Sequence, residues 1–386
     1  WKGEGMKIVA KTLYGLEEVL ADELTALGAI KAKAGNRAVV FEGNKSLLYR
    51  VNYCSRLALS FMVPVNEYTI RKPSDLYDGA FNLPWDNYLD ASQTFAITSV
   101  VTSKHFTHSG YPALVVKDAI ADYFRRRTSK RPNVDSRSPD IQINLHISHD
   151  RVTISLDSTV VPLFKRGYRE EQGVAPLNEV LAAGIIALSG WKADTPLTDG
   201  MCGSGTIVAE AGLMACNIAP GYFRRNFGFM KWKDFDESLF RSIKFDAEKK
   251  VRKSPVPIFG KDISEEAVRI ARSNITGCGL NDTIQISQAD FLSSVPETET
   301  GTIIMNPPYG QRIGLFDQNA FYREVGSRLK HFYTGHKAWI LSGDRECLQA
   351  VGLKTYKKFD LYNGNIECRL HGYDLYQGTK KTKPEN

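Results

Sequence analysis

The chain has 386 residues, 42% hydrophobic and 24% charged, with 50 Lys+Arg against 43 Asp+Glu for a formal net charge of +7. That composition excludes a wholly disordered chain, a collagen-like repeat and a coiled-coil rod, and the length allows two or three domains. No apolar run approaches the ~18 residues of a membrane span, and the mild positive excess is compatible with nucleic acid without arguing for it.

Trp1–Gly5 stand outside the pattern that follows, which starts at Met6 and carries no charged-then-apolar signal segment. From Met6 to Val65 the order reads βαββαβ. Lys7–Ala10 is a predicted strand, Leu16–Leu27 a helix ended by Gly28, Arg37–Phe41 a strand and Ser46–Leu57 a second helix. This order predicts a small ferredoxin-like domain over residues 6–65.

A second α/β unit is predicted over 66–161. Thr94–Val101 is a β-branched strand and Tyr111–Arg127 a helix ending in three arginines. A polar loop, Thr128–Pro139, precedes strands Ile141–Ile147 and Val152–Leu156, joined by His149-Asp150.

Over 162–376 strands and helices alternate. A helix is predicted over Leu177–Leu188, with Pro176 at its start. Strands follow at Pro196–Asp199, Val256–Gly260, Thr283–Gln288, Thr302–Met305 and Ala338–Leu341. Lys354–Tyr362 and Asn365–Tyr373 flank Asn363-Gly364, a strong hairpin signal. A doubly wound parallel sheet closed by an antiparallel hairpin is the outline of a Rossmann-like class I methyltransferase. The polar stretch 377–386 reads as a flexible tail. Six cysteines without a CxxC pair read as scattered thiols of a reducing compartment, so the expectation is a cytoplasmic protein.

Three features carry chemistry. Leu197-Thr198-Asp199-Gly200-Met201-Cys202-Gly203-Ser204-Gly205-Thr206 follows a predicted strand and opens a predicted helix. Glycines admit close backbone approach, and a helix start offers free N–H groups. A dinucleotide fingerprint needs a third glycine where Val208 stands, and a P-loop needs a lysine this turn lacks. An acid just ahead of the glycines suits a cation better than a pyrophosphate. S-adenosylmethionine carries an ammonium and a sulfonium, and Asp199 would balance that charge or shape the loop. Without a ligand the same residues make a plain glycine-rich turn.

Asp262 and Asp290 each follow a predicted strand, so three acids stand at three successive strand ends, where open α/β sheets bind ligands. Asp262 could accept from both ribose hydroxyls, with Ile263 beside the adenine and Ser264 capping the next helix. Asp290 could accept from the adenine amine, with Phe291 against the ring. Acids near helix starts also favour the helix dipole with no ligand present.

The strand Thr302–Met305 runs into Asn306-Pro307-Pro308-Tyr309-Gly310. Prolines stiffen the loop and remove donors. The Asn306 side-chain oxygen and the Pro307 carbonyl could then accept both hydrogens of one planar base amine. That favours a more tetrahedral nitrogen and exposes its lone pair for in-line methyl transfer, by positioning and electrostatics rather than a strong base. Tyr309 offers a face for an extruded base. Asn-Pro alone is also a common turn starter.

These segments, together with Phe164-Lys165-Arg166-Gly167-Tyr168-Arg169, Ala175-Pro176-Leu177-Asn178-Glu179 and Asn217-Ile218-Ala219-Pro220-Gly221, resemble the THUMP-domain RNA methyltransferases. The likeness runs over nearly the whole chain from Met6. It is strongest to the guanine-N2 module of bacterial large-subunit rRNA enzymes, whose second methyltransferase module and its activity are expected to be absent here. The family usually has proline where this chain has Gly200. The resemblance implies a THUMP RNA-binding domain over 66–161. It implies an S-adenosylmethionine site built from Asp199, Cys202, Gly203, Ser204, Gly205, Thr206, Asp262, Ile263, Asp290 and Phe291, with Pro176 and Leu177 over the methionine end. It assigns the target base to Asn306, Pro307, Pro308 and Tyr309, and only the family points to guanine N2 in 23S rRNA or a large-subunit precursor. The residues themselves leave adenine N6 on RNA or DNA open. A third reading, a non-catalytic RNA-binding or ribosome-assembly protein, sits poorly with intact acids and Asn306.

Arg125, Arg126, Arg127, Lys130 and Arg131, with Arg137, face one nearby acid, Asp135, and could grip phosphate or be a solvated helix end. Tyr222–Phe229 mixes aromatics with two arginines; most of its rings read as core. Cys202 lacks a nearby histidine to activate it as a nucleophile. His105 and His108 have no further ligands in support, so no metal is expected. Nor is a membrane or an obligate protein partner.

Overall fold

The computed structural model describes residues 5–108, 110–169, 177–308 and 317–376. The chain divides into two compact units that it enters more than once. The first takes Trp1–Thr12, Leu20–Lys165 and Arg224–Asp246; the second takes Leu13–Val19, Arg166–Phe223 and Ala247–Asn386.

In the first unit the βαββαβ order is β1 (Met6–Lys11), α1 (Glu17–Ala26), β2 (Ile30–Gly35), β3 (Ala38–Gly43), α2 (Lys45–Cys54) and β4 (Ser60–Thr69). The Asn44 side chain accepts from the Leu47 N–H and starts α2, as an N-cap should. There follow α3 (Ser74–Phe81), β5 (Thr94–Thr102), α4 (Tyr111–Thr128), β6 (Asn133–Val134), β7 (Ile141–Ser148) and β8 (Arg151–Asp157). Two elements were not expected: α3, and the short β6 inside the predicted loop, which pairs in parallel with β5. One eight-stranded sheet, ordered β2-β3-β1-β4-β8-β7-β5-β6, runs through the whole unit. The expected boundary at 65/66 falls inside β4, which pairs with β1 on one side and β8 on the other.

Residues 162–376 are not one continuous body. Arg224–Asp246 returns to the first unit, because its rings complete a cluster there. Phe229 stacks on Tyr49 at 4.3 Å, and Phe227, Phe235 and Phe240 pack around the pair. Of the rings in Tyr222–Phe229, Phe227 and Phe229 are thus core, while Phe223 is half-buried and Tyr222 is 52% exposed; Arg224 donates to the carbonyls of Val161, Pro162 and Lys165.

The second unit holds β9 (Leu197–Asp199), β10 (Ile258–Asp262), β11 (Ile284–Gln288), β12 (Thr302–Met305), β13 (Lys337–Ser342), β14 (Thr355–Asn363) and β15 (Ile366–Asp374). Around them lie α5 (Glu179–Ser189), α6 (Thr206–Ala215), α8 (Glu265–Gly277), α9 (Gln318–Phe332) and α10 (Arg345–Ala350); α7 (Glu237–Glu248) closes the excursion. The strand order is β11-β10-β9-β12-β13-β15-β14. β9 to β13 pair in parallel and β15 is antiparallel to both neighbours, with Gly364 at φ +63° in the hairpin turn. Strand order reverses between β9 and β12, the point where such sheets open a crevice. The predicted helix from Leu177 starts later, at Glu179, because the Asn178 side chain accepts from the Val180 and Leu181 N–H groups. Among the described residues no helix is long and apolar enough to cross a membrane.

Candidate active site

The second unit contains a cavity of about 630 Å³ at the carboxyl edge of β11, β10, β9 and β12. The turn after β9 is shaped by Gly203 at φ +52° and Gly205 at φ +78°, which release α6 from Thr206. The Gly203 N–H donates to Asp262 Oδ2 at 2.9 Å, and the Ser264 N–H donates to Oδ1 of the same carboxylate at 3.0 Å. That fixes the Asp262 carboxylate while its remaining lone pairs stay available. Ser264 also caps α8, accepting from the Ala267 N–H.

Asp199 is 1% exposed and accepts the Met201 N–H at 3.1 Å. Burial raises its pKa to about 8; the Met201 N–H opposes the rise and the charge of Asp262 adds to it. A carboxyl in that position is held back from ionising until a cation arrives. Asp290 accepts the Leu292 N–H at 3.0 Å and completes the arc of three acids lining the cavity. Ile263, 68% exposed, presents an apolar side chain to the same space.

At the end of β12, Asn306 and Pro308 line the cavity. The Asn306 Oδ1 atom is buried and, among the described residues, has no hydrogen-bond partner. An unsatisfied buried acceptor is costly and calls for a donor. Three carboxylates, an exposed isoleucine and an orphaned amide oxygen together fit S-adenosylmethionine beside an amine-bearing base.

Leu177, Asp199, Cys202, Gly203, Ser204, Thr206, Asp262, Ile263, Asp290, Phe291, Asn306 and Pro308 all line this one cavity; Gly205 and Pro307 belong to its turns without lining it. Pro176 and Tyr309 lie outside the described residues. Phe291 is mainly a core ring: it stacks on Tyr333 at 5.3 Å and packs against Gly200, where a Cβ would meet Phe291 Cδ2 at 2.4 Å. Gly200 makes room for that ring. The Cys202 thiol is buried, and burial followed by Asp199 and Asp262 pushes its pKa well up, so it stays protonated.

Two further features carried no role in the sequence reading, although Arg169 lies in one of the segments that resemble the family. Phe321, on the first turn of α9, lines the cavity beside the fully buried Tyr322, and nothing in the local pattern separates their roles. Arg169 joins three pieces of the site: it pairs with Glu179 at 2.9 Å and donates to the Leu177 carbonyl and to Thr206 Oγ1. Behind it, Arg166 and Glu210 form a buried two-point ion pair, and Tyr168 donates to the same carboxylate.

In the first unit the arginine cluster is less free than its sequence suggests. Arg125 pairs with Asp122 at 3.1 Å, Arg126 lies over Phe81, and Arg127 lies over Tyr123 and 4.0 Å from Asp86. Asp135 instead accepts the Arg137 and Ser138 N–H groups of its own loop. Lys130 and Arg131 are exposed.

The chain is similar to known proteins over nearly its whole length. Family profiles match an RlmL ferredoxin-like domain over residues 7–59, a THUMP domain over 71–157 and an RMKL-like methyltransferase domain over 166–371. The candidate RNA methyltransferase slr0064 of Synechocystis is 39% identical over 95% of this chain and 96% of its own. The ribosomal RNA large subunit methyltransferase K/L of Psychromonas ingrahamii is 39% identical over 94% of this chain but 49% of its own, so the chain spans about half of that relative. A crystal structure of SMU.472, a candidate methyltransferase complexed with SAH, superposes with a TM-score of 0.87 at 31% identity, covering 98% of this chain and 100% of that one. The chain belongs to the RMKL-like methyltransferase-domain family, whose cofactor is S-adenosylmethionine.

Proposed function

We propose that the chain methylates the exocyclic N2 amine of a guanine in large-subunit ribosomal RNA, acting in the cytoplasm on 23S rRNA or a precursor of the large subunit. The observation that carries the reading is the buried Asn306 Oδ1, partnerless among the described residues, in a cavity ringed by Asp199, Asp262 and Asp290. The names of the K/L relatives support the substrate class, and the THUMP match supports RNA over duplex DNA.

When bound, S-adenosylmethionine supplies an electrophilic methyl group on a cationic sulfur. Asp199 holds the counter-charge in a water-poor site, where it counts most. Asp262, fixed by two backbone N–H groups, accepts from ribose hydroxyls, and Ile263 covers one adenine face. Asp290 accepts from the adenine amine. Leu177, tied down through Arg169, closes one end of the cavity. Asn306 accepts one hydrogen of the target amine and the Pro307 carbonyl the other, holding the nitrogen lone pair toward the reacting carbon; Pro308 shapes the loop and Tyr309 stacks on the base. Arg125, Arg126, Arg127, Lys130 and Arg131 contribute phosphate contacts. No protein general base is required, because the amine proton leaves after transfer.

The test is methyl transfer from labelled S-adenosylmethionine to deproteinised rRNA of a strain lacking the protein, followed by nucleoside mass spectrometry. N2-methylguanosine is expected. N6-methyladenosine would overturn the base assignment, and no transfer despite cofactor binding would overturn the enzyme assignment for this RNA.

A further inference from the structure

The first unit has a cavity of its own, about 330 Å³, lined by Asn87, Tyr88, Leu156, Trp232, Lys233 and Asp234. Three of these residues come from the Arg224–Asp246 excursion and three from the sheet and the turn before β5. Trp232 is 8% exposed, and its indole N–H is buried without an acceptor among the described residues. A buried donor left unpaired is rare and costs about 1–3 kcal/mol, so it asks for an acceptor from outside the chain. Around it stand an aromatic ring, Tyr88, and an exposed amide, Asn87.

The rim of this cavity carries charge of both signs: Lys233 and Arg127 stand beside Asp90 and Asp86, and Asp234, which lines the cavity, pairs with Lys45 at 2.8 Å. Lys233 donates to the carbonyl of Asp86, one residue from Asn87, and to the Asp90 carboxylate. Asp86 also receives the Tyr123 hydroxyl and lies 4.0 Å from Arg127, so the basic end of α4 reaches the same turn. Arg127 and Lys233 keep much of their side chains in solvent and have N–H groups to spare.

We propose that this cavity is a nucleobase subsite for a single-stranded stretch of the RNA substrate, with Arg127 and Lys233 against the flanking phosphate. The inference rests on the RNA-substrate reading above. Every base carries an in-plane acceptor for the Trp232 N–H and an edge for Asn87, and Tyr88 offers a stacking face. The volume lies at the small end of ligand pockets and suits one unstacked heterocycle, not a duplex.

The experiment is fluorescence anisotropy on the full chain, with a short labelled single-stranded RNA and a duplex of the same sequence, comparing wild type with W232F. W232F should weaken the single strand about five- to tenfold, the loss of one buried hydrogen bond, and leave the duplex unchanged. N87A alters only an exposed turn and should shift the single strand in the same direction by a smaller factor, which keeps the test sound should W232F fold poorly. A 4-thiouridine in the single strand should crosslink to the peptide holding Tyr88 or Trp232. Unaltered binding by N87A and W232F, or equal losses for strand and duplex, overturns the subsite alone. A wild type that binds neither RNA overturns the substrate reading beneath it as well.

Discussion

The second unit holds two kinds of carboxylate. Glu210 and Glu179 meet arginines supplied by the chain, Arg166 and Arg169, at 3.2 and 2.9 Å. Asp199, Asp262 and Asp290, at the carboxyl edge of the same sheet, meet backbone N–H groups and, among the described residues, no cation. Burying a charge is expensive unless it is paired. Where the fold needs a carboxylate, the chain brings the counter-ion with it. Where the cavity needs one, at the buried Asp199, the place of the counter-ion is left to a ligand, while the half-buried Asp262 and Asp290 keep oxygens for neutral donors.

That contrast can be broken most severely at Arg166. Arg166→Met strands Glu210 inside the protein and should cost about 3–5 kcal/mol in denaturant unfolding, while R166M/E210L should recover most of it. A double variant as weak as the single would mean that the pairing is not the cause. On the cavity side, Asn306→Ala should lower the methyl-transfer rate on the order of 10²–10³-fold, with cofactor Kd unchanged by calorimetry. A raised Kd with unaltered rate would move Asn306 from base to cofactor.

Asp199 sharpens the comparison through pH. Its pKa of about 8 stands above the ordinary carboxylate value, so its contribution to the stability of the ligand-free protein is full below about pH 4 and is lost as pH climbs to 8. Cofactor affinity should run the other way, rising up to about tenfold per pH unit from 6 toward 8 as the carboxylate becomes easier to form. Calorimetry of D199N should show that slope abolished; an unchanged slope would assign the proton elsewhere. Gly200→Ala, which drives a Cβ against Phe291 and Met305, should cost about 1–3 kcal/mol by thermal unfolding. The smallest effect belongs to an exposed pair: Arg125→Ala should leave the melting temperature within about 1 °C of wild type.

Much of the second unit is legible because its signals are local. Glycines after a strand, Ser264 before a helix and Asn-Gly between alternating runs each act within a few residues. The acids at strand ends follow from the same periodicity. What escapes depends on distant partners. α3 has only Leu76 and Ala80 buried, too few for a periodic face. The return of Arg224–Asp246 to the first unit rests on Tyr49 meeting Phe229, and no local pattern encodes that pairing. Arg169 reads as one more cation until Glu179, Leu177 and Thr206 are seen around it. The expected helix start at Leu177 failed for a readable reason: Asn178 is the better cap.

The route of the chain also sets an order of assembly on the ribosome. Tyr49 lies within the first unit, yet the ring that stacks on it, Phe229, follows only after Arg166–Phe223 of the second unit. At elongation speeds of roughly 5–20 residues per second, that aromatic cluster waits on the order of ten to forty seconds for its partner. The amino-terminal unit therefore cannot be finished first, and a nascent chain halted before Arg224 would display Tyr49 and Tyr53 to any chaperone that reads exposed aromatics.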